Sequence, residues 1–134
     1  PDTTDECPLL ATLKVIIGTA GNDTLYGTSG KDLIRGGDGN DRIYGKGEAD
    51  CLVGGAGSDT IYGDAGHDIV KGGDGIDYLY GSGGNDTIDG DAGDDLLDGG
   101  SGNDILNGGL NTDKCSGSSG TDTAVACETI SSIP

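Results

Sequence analysis

The 134-residue chain has no Phe, Trp or Met, one His, three Pro and five Tyr. With 32% hydrophobic residues, it lacks the apolar bulk of an ordinary globular core. Basic side chains are scarce: seven Lys and Arg stand against 24 Asp and Glu, a formal net charge of −17. That balance argues against nucleic acid and anionic membrane surfaces as direct partners. No apolar run approaches a membrane span, so membrane insertion is not expected. Catalytic material is missing too. His67, the lone histidine, falls at an outward turn position, and there is no serine nucleophile in a G-x-S-x-G setting, His cluster or phosphate loop. The chain reads as a non-enzyme. No secretory signal is visible, and an opening Pro1 in place of Met suggests a processed or trimmed chain.

What the chain has is glycine, 29 residues of it, in strict phase. From Gly18 to Val125 a nine-residue unit repeats twelve times without insertion. Each unit opens on Gly, at Gly18, Gly27, Gly36, Gly45, Gly54, Gly63, Gly72, Gly81, Gly90, Gly99, Gly108 and Gly117. The sixth place is always aspartate: Asp23, Asp32, Asp41, Asp50, Asp59, Asp68, Asp77, Asp86, Asp95, Asp104, Asp113 and Asp122. The eighth place is aliphatic from Leu25 to Leu106, then Cys115 and Ala124. Such acidity and so much glycine would otherwise indicate disorder. Disorder needs no aspartate at one fixed phase. Ordinary turn preference would share the sixth place among Asp, Asn and Ser.

Each unit divides into a six-residue turn and a three-residue strand, Gly18–Asp23 and Thr24–Tyr26 in the first. Glycines at the first and fourth places are expected at positive φ. Strand alternation sends the eighth place inward as the core and the seventh and ninth outward to water. Tyr26, Tyr44, Tyr62 and Tyr80 occupy the ninth place every eighteen residues, in odd units only. Two units per coil account for this, odd strands stacking in one sheet and even strands in another. One domain is expected, with residues 1–17 as an amino-terminal cap with a strand, 18–125 as repeats and 126–134 as a carboxyl-terminal cap.

Units such as Gly36–Tyr44 (GGDGNDRIY) and Gly99–Asn107 (GGSGNDILN) match G-G-x-G-x-D-x-U-x. Over about four fifths of its length the chain resembles the RTX, or haemolysin-type, calcium-binding repeat family. The resemblance implies an all-β fold, a right-handed parallel β-roll (a two-sheet β-solenoid) with two nonapeptides per coil and calcium in the turns. It also implies an ion between successive turns on one edge, held by the sixth-place Asp and glycine-turn carbonyls. Coils at strand spacing bring like aspartates about 4.8 Å apart, where each pair would repel by roughly 1 kcal/mol in water. Six turns per edge leave five gaps, hence at most ten ions, and ten would turn −17 into about +3. Calcium suits such oxygens better than magnesium, which demands a smaller, stricter octahedron. Weaker sites are expected at Asp50, whose turn carries Glu48 and Ala49, and at Asp113, whose turn carries Leu110 and Asn111. Asp38, Asp64, Asp74 and Asp91 read as solvated surface.

Leu13–Ile17 is the expected amino-side cap strand, with Ile16 in phase with the core, and Val125–Ile133 the carboxyl-side strand or lid. The cysteines Cys7, Cys51, Cys115 and Cys127 lack zinc-site spacing. Two disulfides are expected, preferably Cys115–Cys127 and Cys7–Cys51, out of three pairings. Four cysteines depart from the cysteine-poor family members exported by type I secretion, and fit export through an oxidising compartment. The function expected is that of a secreted, extracellular module that folds on calcium. A competing reading makes the tyrosine face, with Tyr78 beside it, a ligand surface for carbohydrate or a protein. A ladder that only stabilises its sheet is the simpler account of the same residues. Regular Thr/Asn rows, as ice binding would need, are absent. Leu33, Cys51, Ile69 and Ile105 form an apolar outer row, compatible with a monomer or a weak dimer.

Overall fold

The computed structural model describes residues 14–131. In chain order its strands are β1 (Lys14–Ile17), β2 (Thr24–Tyr26), β3 (Asp32–Asp38), β4 (Arg42–Tyr44), β5 (Cys51–Ala56), β6 (Thr60–Tyr62) and β7 (Ile69–Asp74). There follow β8 (Tyr78–Gly83), β9 (Thr87–Ala92), β10 (Leu96–Ser101), β11 (Ile105–Asn107), β12 (Lys114–Ser116), β13 (Thr123–Val125) and β14 (Thr129–Ser131). No helix occurs among the described residues. Odd-numbered strands make one seven-stranded parallel sheet, and even-numbered strands make the other. The chain therefore winds as a solenoid of about seven coils, two units to a coil. Register advances by eighteen residues throughout the repeats, as in Leu25↔Ile43↔Ile61↔Leu79.

The eighth-place side chains meet between the sheets. Ile34, Ile43, Leu52, Ile61, Val70, Leu79, Ile88, Leu97, Leu106 and Cys115 form one buried column, with Ile16, Leu25, Ala124 and Cys127 packed against it. Each fully buried aliphatic contributes about 1.5–3 kcal/mol. Between the sheets the core is one side chain per unit, so what happens in the turns weighs heavily.

Two expectations need correction. Strand and turn are not cleanly separated: β3, β5 and β7 run for six or seven residues, because pairing continues through Gly37↔Gly55↔Gly73 into the turns. The outer row is not all exposed either. Leu33 and Cys51 are 3% and 4% exposed and, with the ninth-place Val53 at 7%, form a second small cluster. Leu33, Cys51 and Ile69 are register partners on adjacent strands, where contiguous apolar side chains pack on each other. Ile105 alone of the row stands well out, at 54% exposed.

At the amino end β1 pairs with β3, Ile16 opposite Ile34, and starts the stack. At the other end β14 pairs with β12, Cys115 opposite Ile130, and Cys115 is bonded to Cys127. Cys7, Leu13 and Ile133 lie outside the described residues, and with Cys7 the proposed Cys7–Cys51 pairing.

Candidate metal centres

Every sixth-place Asp from Asp41 to Asp122 sits 0–6% exposed, and its bonds can be followed atom by atom. Asp41, Asp59, Asp77, Asp95 and Asp113 on one edge each use Oδ1 to accept the backbone N–H of the Asp eighteen residues earlier, at 2.8 Å. Asp50, Asp68, Asp86, Asp104 and Asp122 do the same on the other edge, also at 2.8 Å. The backbone carbonyls are used as well, Asp41 accepting from Thr60 N and Asp50 from Ile69 N at 2.9 Å. What remains is Oδ2. In all ten of these residues it is buried without a hydrogen-bond partner.

The two earliest turns differ. Asp23 Oδ2 accepts the Thr19 N–H at 2.6 Å and its hydroxyl at 2.9 Å. Asp32 Oδ2 accepts the same pair from Thr28, at 2.6 and 3.0 Å. The backbone differs accordingly. From Gly36 onward the second and fourth places have positive φ, as at Gly37 (106°) and Gly39 (100°), while neither Thr19, Gly21, Thr28 nor Gly30 does. Positive φ thus holds at the fourth place from Gly36 onward, while the expectation for the first place is corrected, the second place taking that conformation in its stead. The first-place glycine is there for room. A Cβ on Gly63 would stand 2.6 Å from Asp68 Oδ2 and 2.8 Å from the Gly81 carbonyl oxygen. On Gly45 it would stand 2.7 Å from both Asp50 Oδ2 and the Gly63 carbonyl oxygen. An unbonded carboxylate oxygen and the carbonyl of the next coil thus share one small space. The turn at Asp50 keeps this form because Lys46 and Glu48 accept φ of 79° and 66°, at about 1–2 kcal/mol each for L residues. Asn111 does likewise at 85° in the turn before Asp113.

Burial acts on these carboxyls before their neighbours do. Desolvation raises Asp68 and Asp77 to about 8, Asp50 and Asp86 to about 7, and Asp59 and Asp95 to about 6. Aspartates on the adjoining coils push the same way, and the bond from a backbone N–H opposes them. Asp41, Asp104 and Asp113 are raised for the same first reason. Unbonded, buried, mutually repelling oxygens call for a positive charge. The available donors are carboxylate and carbonyl oxygens, the hard set that calcium takes. Among the described residues no three His, Cys, Asp or Glu side chains gather to hold a metal, so a cation here must draw on backbone carbonyls.

The other sequence candidates fall elsewhere. Tyr26, Tyr44, Tyr62 and Tyr80 stack in one column, centroids 5.0–5.2 Å apart and planes within 9°. Lys46 Nζ lies 5.4 Å from the Tyr26 ring. Tyr78 is exposed at the column's end. His67 is exposed, its Nδ1 accepting the Asn85 N–H at 2.7 Å, the place Asn22 Oδ1 fills for Asn40 N. Asp38 and Asp74 are exposed, Asp64 and Asp91 half-buried. One participant escaped the sequence reading. Glu128 Oε2 accepts the Asp113 N–H at 2.6 Å, the bond an eighteen-residue Asp would make. Only the pairing of β14 discloses it.

A parallel two-sheet solenoid whose stacked turns carry such oxygens is a cation-binding β-roll. The chain belongs to the RTX calcium-binding nonapeptide repeat family, whose profile matches it in four copies at residues 17–50, 45–79, 71–106 and 93–124. Its repeats bind calcium. No curated protein matches the chain.

Proposed function

We propose that this is a secreted module whose roll is stabilised by calcium held between stacked turns, with no catalytic role. One observation carries the reading: ten buried Oδ2 atoms that no protein group satisfies. Each such orphan costs about 1–3 kcal/mol, more when charged. Together they rival the whole stability of a small domain, about 5–15 kcal/mol. A bound ion removes that cost and adds its own binding free energy to folding.

Asp41, Asp50, Asp59, Asp68, Asp77, Asp86, Asp95 and Asp104 each have a turn of positive-φ form and a nonapeptide above it. Each would supply Oδ2 to an ion, with the first-place carbonyl of the next coil on its edge and further turn carbonyls completing the set. Eight divalent ions would bring the net charge of −17 close to zero. Asp23 and Asp32 already have Oδ2 bonded and would form a metal-independent start to the roll. Asp113 and Asp122 close the two edges. The Cys115–Cys127 disulfide supports an oxidising, extracellular setting. The tyrosine column supports a packing role, because each inner ring has its faces covered by neighbouring rings and offers a sugar only edges.

Far-ultraviolet circular dichroism of the chelator-stripped, disulfide-intact chain tests this, with magnesium as control. A cooperative, calcium-selective gain of β-structure is expected. A chain fully β-rich at neutral pH without calcium would overturn it.

A further inference from the structure

Asp113 lies in the last unit of its edge, fully buried, with Oδ2 unbonded, and no nonapeptide follows it. Its surroundings nevertheless repeat the pattern of the earlier coils. Strand β14 meets β12 at an offset of fifteen residues in place of eighteen, Cys115 opposite Ile130. That offset makes Ala126–Ser131 a thirteenth unit whose turn has shrunk from six residues to three. Val125 serves as the preceding ninth place, its carbonyl accepting the Gly108 N–H at 3.0 Å as Tyr80 accepts that of Gly63 at 2.8 Å. Ala126 then stands at the first place. Its φ is 52°, and its carbonyl oxygen lies against the open side of Gly108 together with Asp113 Oδ2. Glu128 stands at the sixth place. Its Oε2 accepts the Asp113 N–H, and the N–H groups of Glu128 and Thr129 return to the Asp113 carbonyl at 3.0 and 3.1 Å. One extra methylene lets Glu reach where a shortened turn would leave Asp too far back. Cys127, between these two residues, is bonded to Cys115 in the core column.

We propose that the gap between the Asp113 turn and this contracted turn is a further calcium site, using Asp113 Oδ2, the Ala126 carbonyl and the Glu128 carboxylate. It rests on the calcium reading of the nonapeptides but lies past their last matched residue, 124. The donors are again hard oxygens, and the buried Asp113 Oδ2 is the unsatisfied group that asks for the ion. The Glu128 charge beside it adds to the burial that raises the Asp113 carboxyl. The disulfide holds carbonyl and carboxylate in one short turn. Reduction therefore weakens this site and spares the eight at Asp41–Asp104.

Native mass spectrometry at saturating calcium, on the full chain, counts the ions. Glu128→Gln keeps an oxygen for the Asp113 N–H and removes only the charge, so one ion fewer per chain is expected, and reduction of Cys115–Cys127 should remove the same one. Equal counts in the variant and the parent overturn the site. A parent that binds no calcium at all overturns the nonapeptide reading with it, whereas repeat ions retained beside an unchanged Glu128→Gln count sink this proposal alone. Should the variant lose its β-structure, the unaltered protein decides by nuclear magnetic resonance. The Ala126 and Glu128 amide signals must move with calcium and stop moving once the disulfide is reduced; amides indifferent to both end the proposal.

Discussion

Two turns and ten turns share one aspartate column and deal with its burial in different ways. In Gly18–Asp23 and Gly27–Asp32 the second-place threonine turns its N–H and hydroxyl onto Oδ2. From Gly36 onward the second place has positive φ, whether it holds Gly37, Lys46, Asp64 or Ser82, and Oδ2 is left without a partner. A β-branched residue resists positive φ. Thr19 and Thr28 therefore keep their donors inward, and the protein satisfies its own carboxylate. An unbranched side chain lets the turn flip and leaves that carboxylate for an ion. One side-chain branch separates a self-contained turn from a metal-dependent one.

The strongest test of that contrast is removal of calcium at neutral pH. Chelation should abolish most far-ultraviolet β-signal, and hydrogen exchange should show protection lost from β4 to β13 in one step. Next comes pH in the absence of metal. Carboxyls raised to about 6–8 in the roll, against 3.8 unfolded, bind more protons folded than unfolded. Their contribution to metal-free stability is fully present below pH 3.8 and lost as pH rises through about 8. Acid should therefore restore β-structure that chelation removed, and denaturant midpoints falling from pH 4 to 8 would check it. With calcium present the order reverses, since protons then compete with the ion.

The contrast sharpens with Thr19→Gly and Thr28→Gly together. Each change removes a cap worth about 0.5–1.5 kcal/mol to the metal-free chain and frees one Oδ2. Two more ions per chain by mass spectrometry are expected, with the metal-free form less stable. The smallest effect belongs to the tyrosines, which stack only along the first four coils of their sheet. Tyr44→Ser should cost about 0.5–1.5 kcal/mol in thermal unfolding and leave the calcium count unchanged.

The aspartate column, the aliphatic core and two units per coil were all legible in the sequence, because a period survives any local variation. Tyr26 to Tyr80 gave the coil length before any strand was placed, and Cys115 in the core column pointed to Cys127. The Thr caps were not legible. Thr19 and Thr28 occupy a place where the repeat also carries Lys46, Asp64 and Ser82, so they read as neutral variation until backbone φ told them apart. Glu128 was hidden for another reason. Loss of three residues broke the phase by which every other site had been found.

Because each nonapeptide turn up to the terminal one bonds to its like on the same edge, eighteen residues away, the length of this molecule is quantised. Excising eighteen residues from the middle would shorten both edges by one step and leave every surviving neighbour on its own side. Excising nine would exchange the two edges for everything downstream, carrying later tyrosines onto the opposite sheet and moving the contracted terminal turn to the wrong flank. A gene for such a roll can grow or shrink smoothly only in double steps.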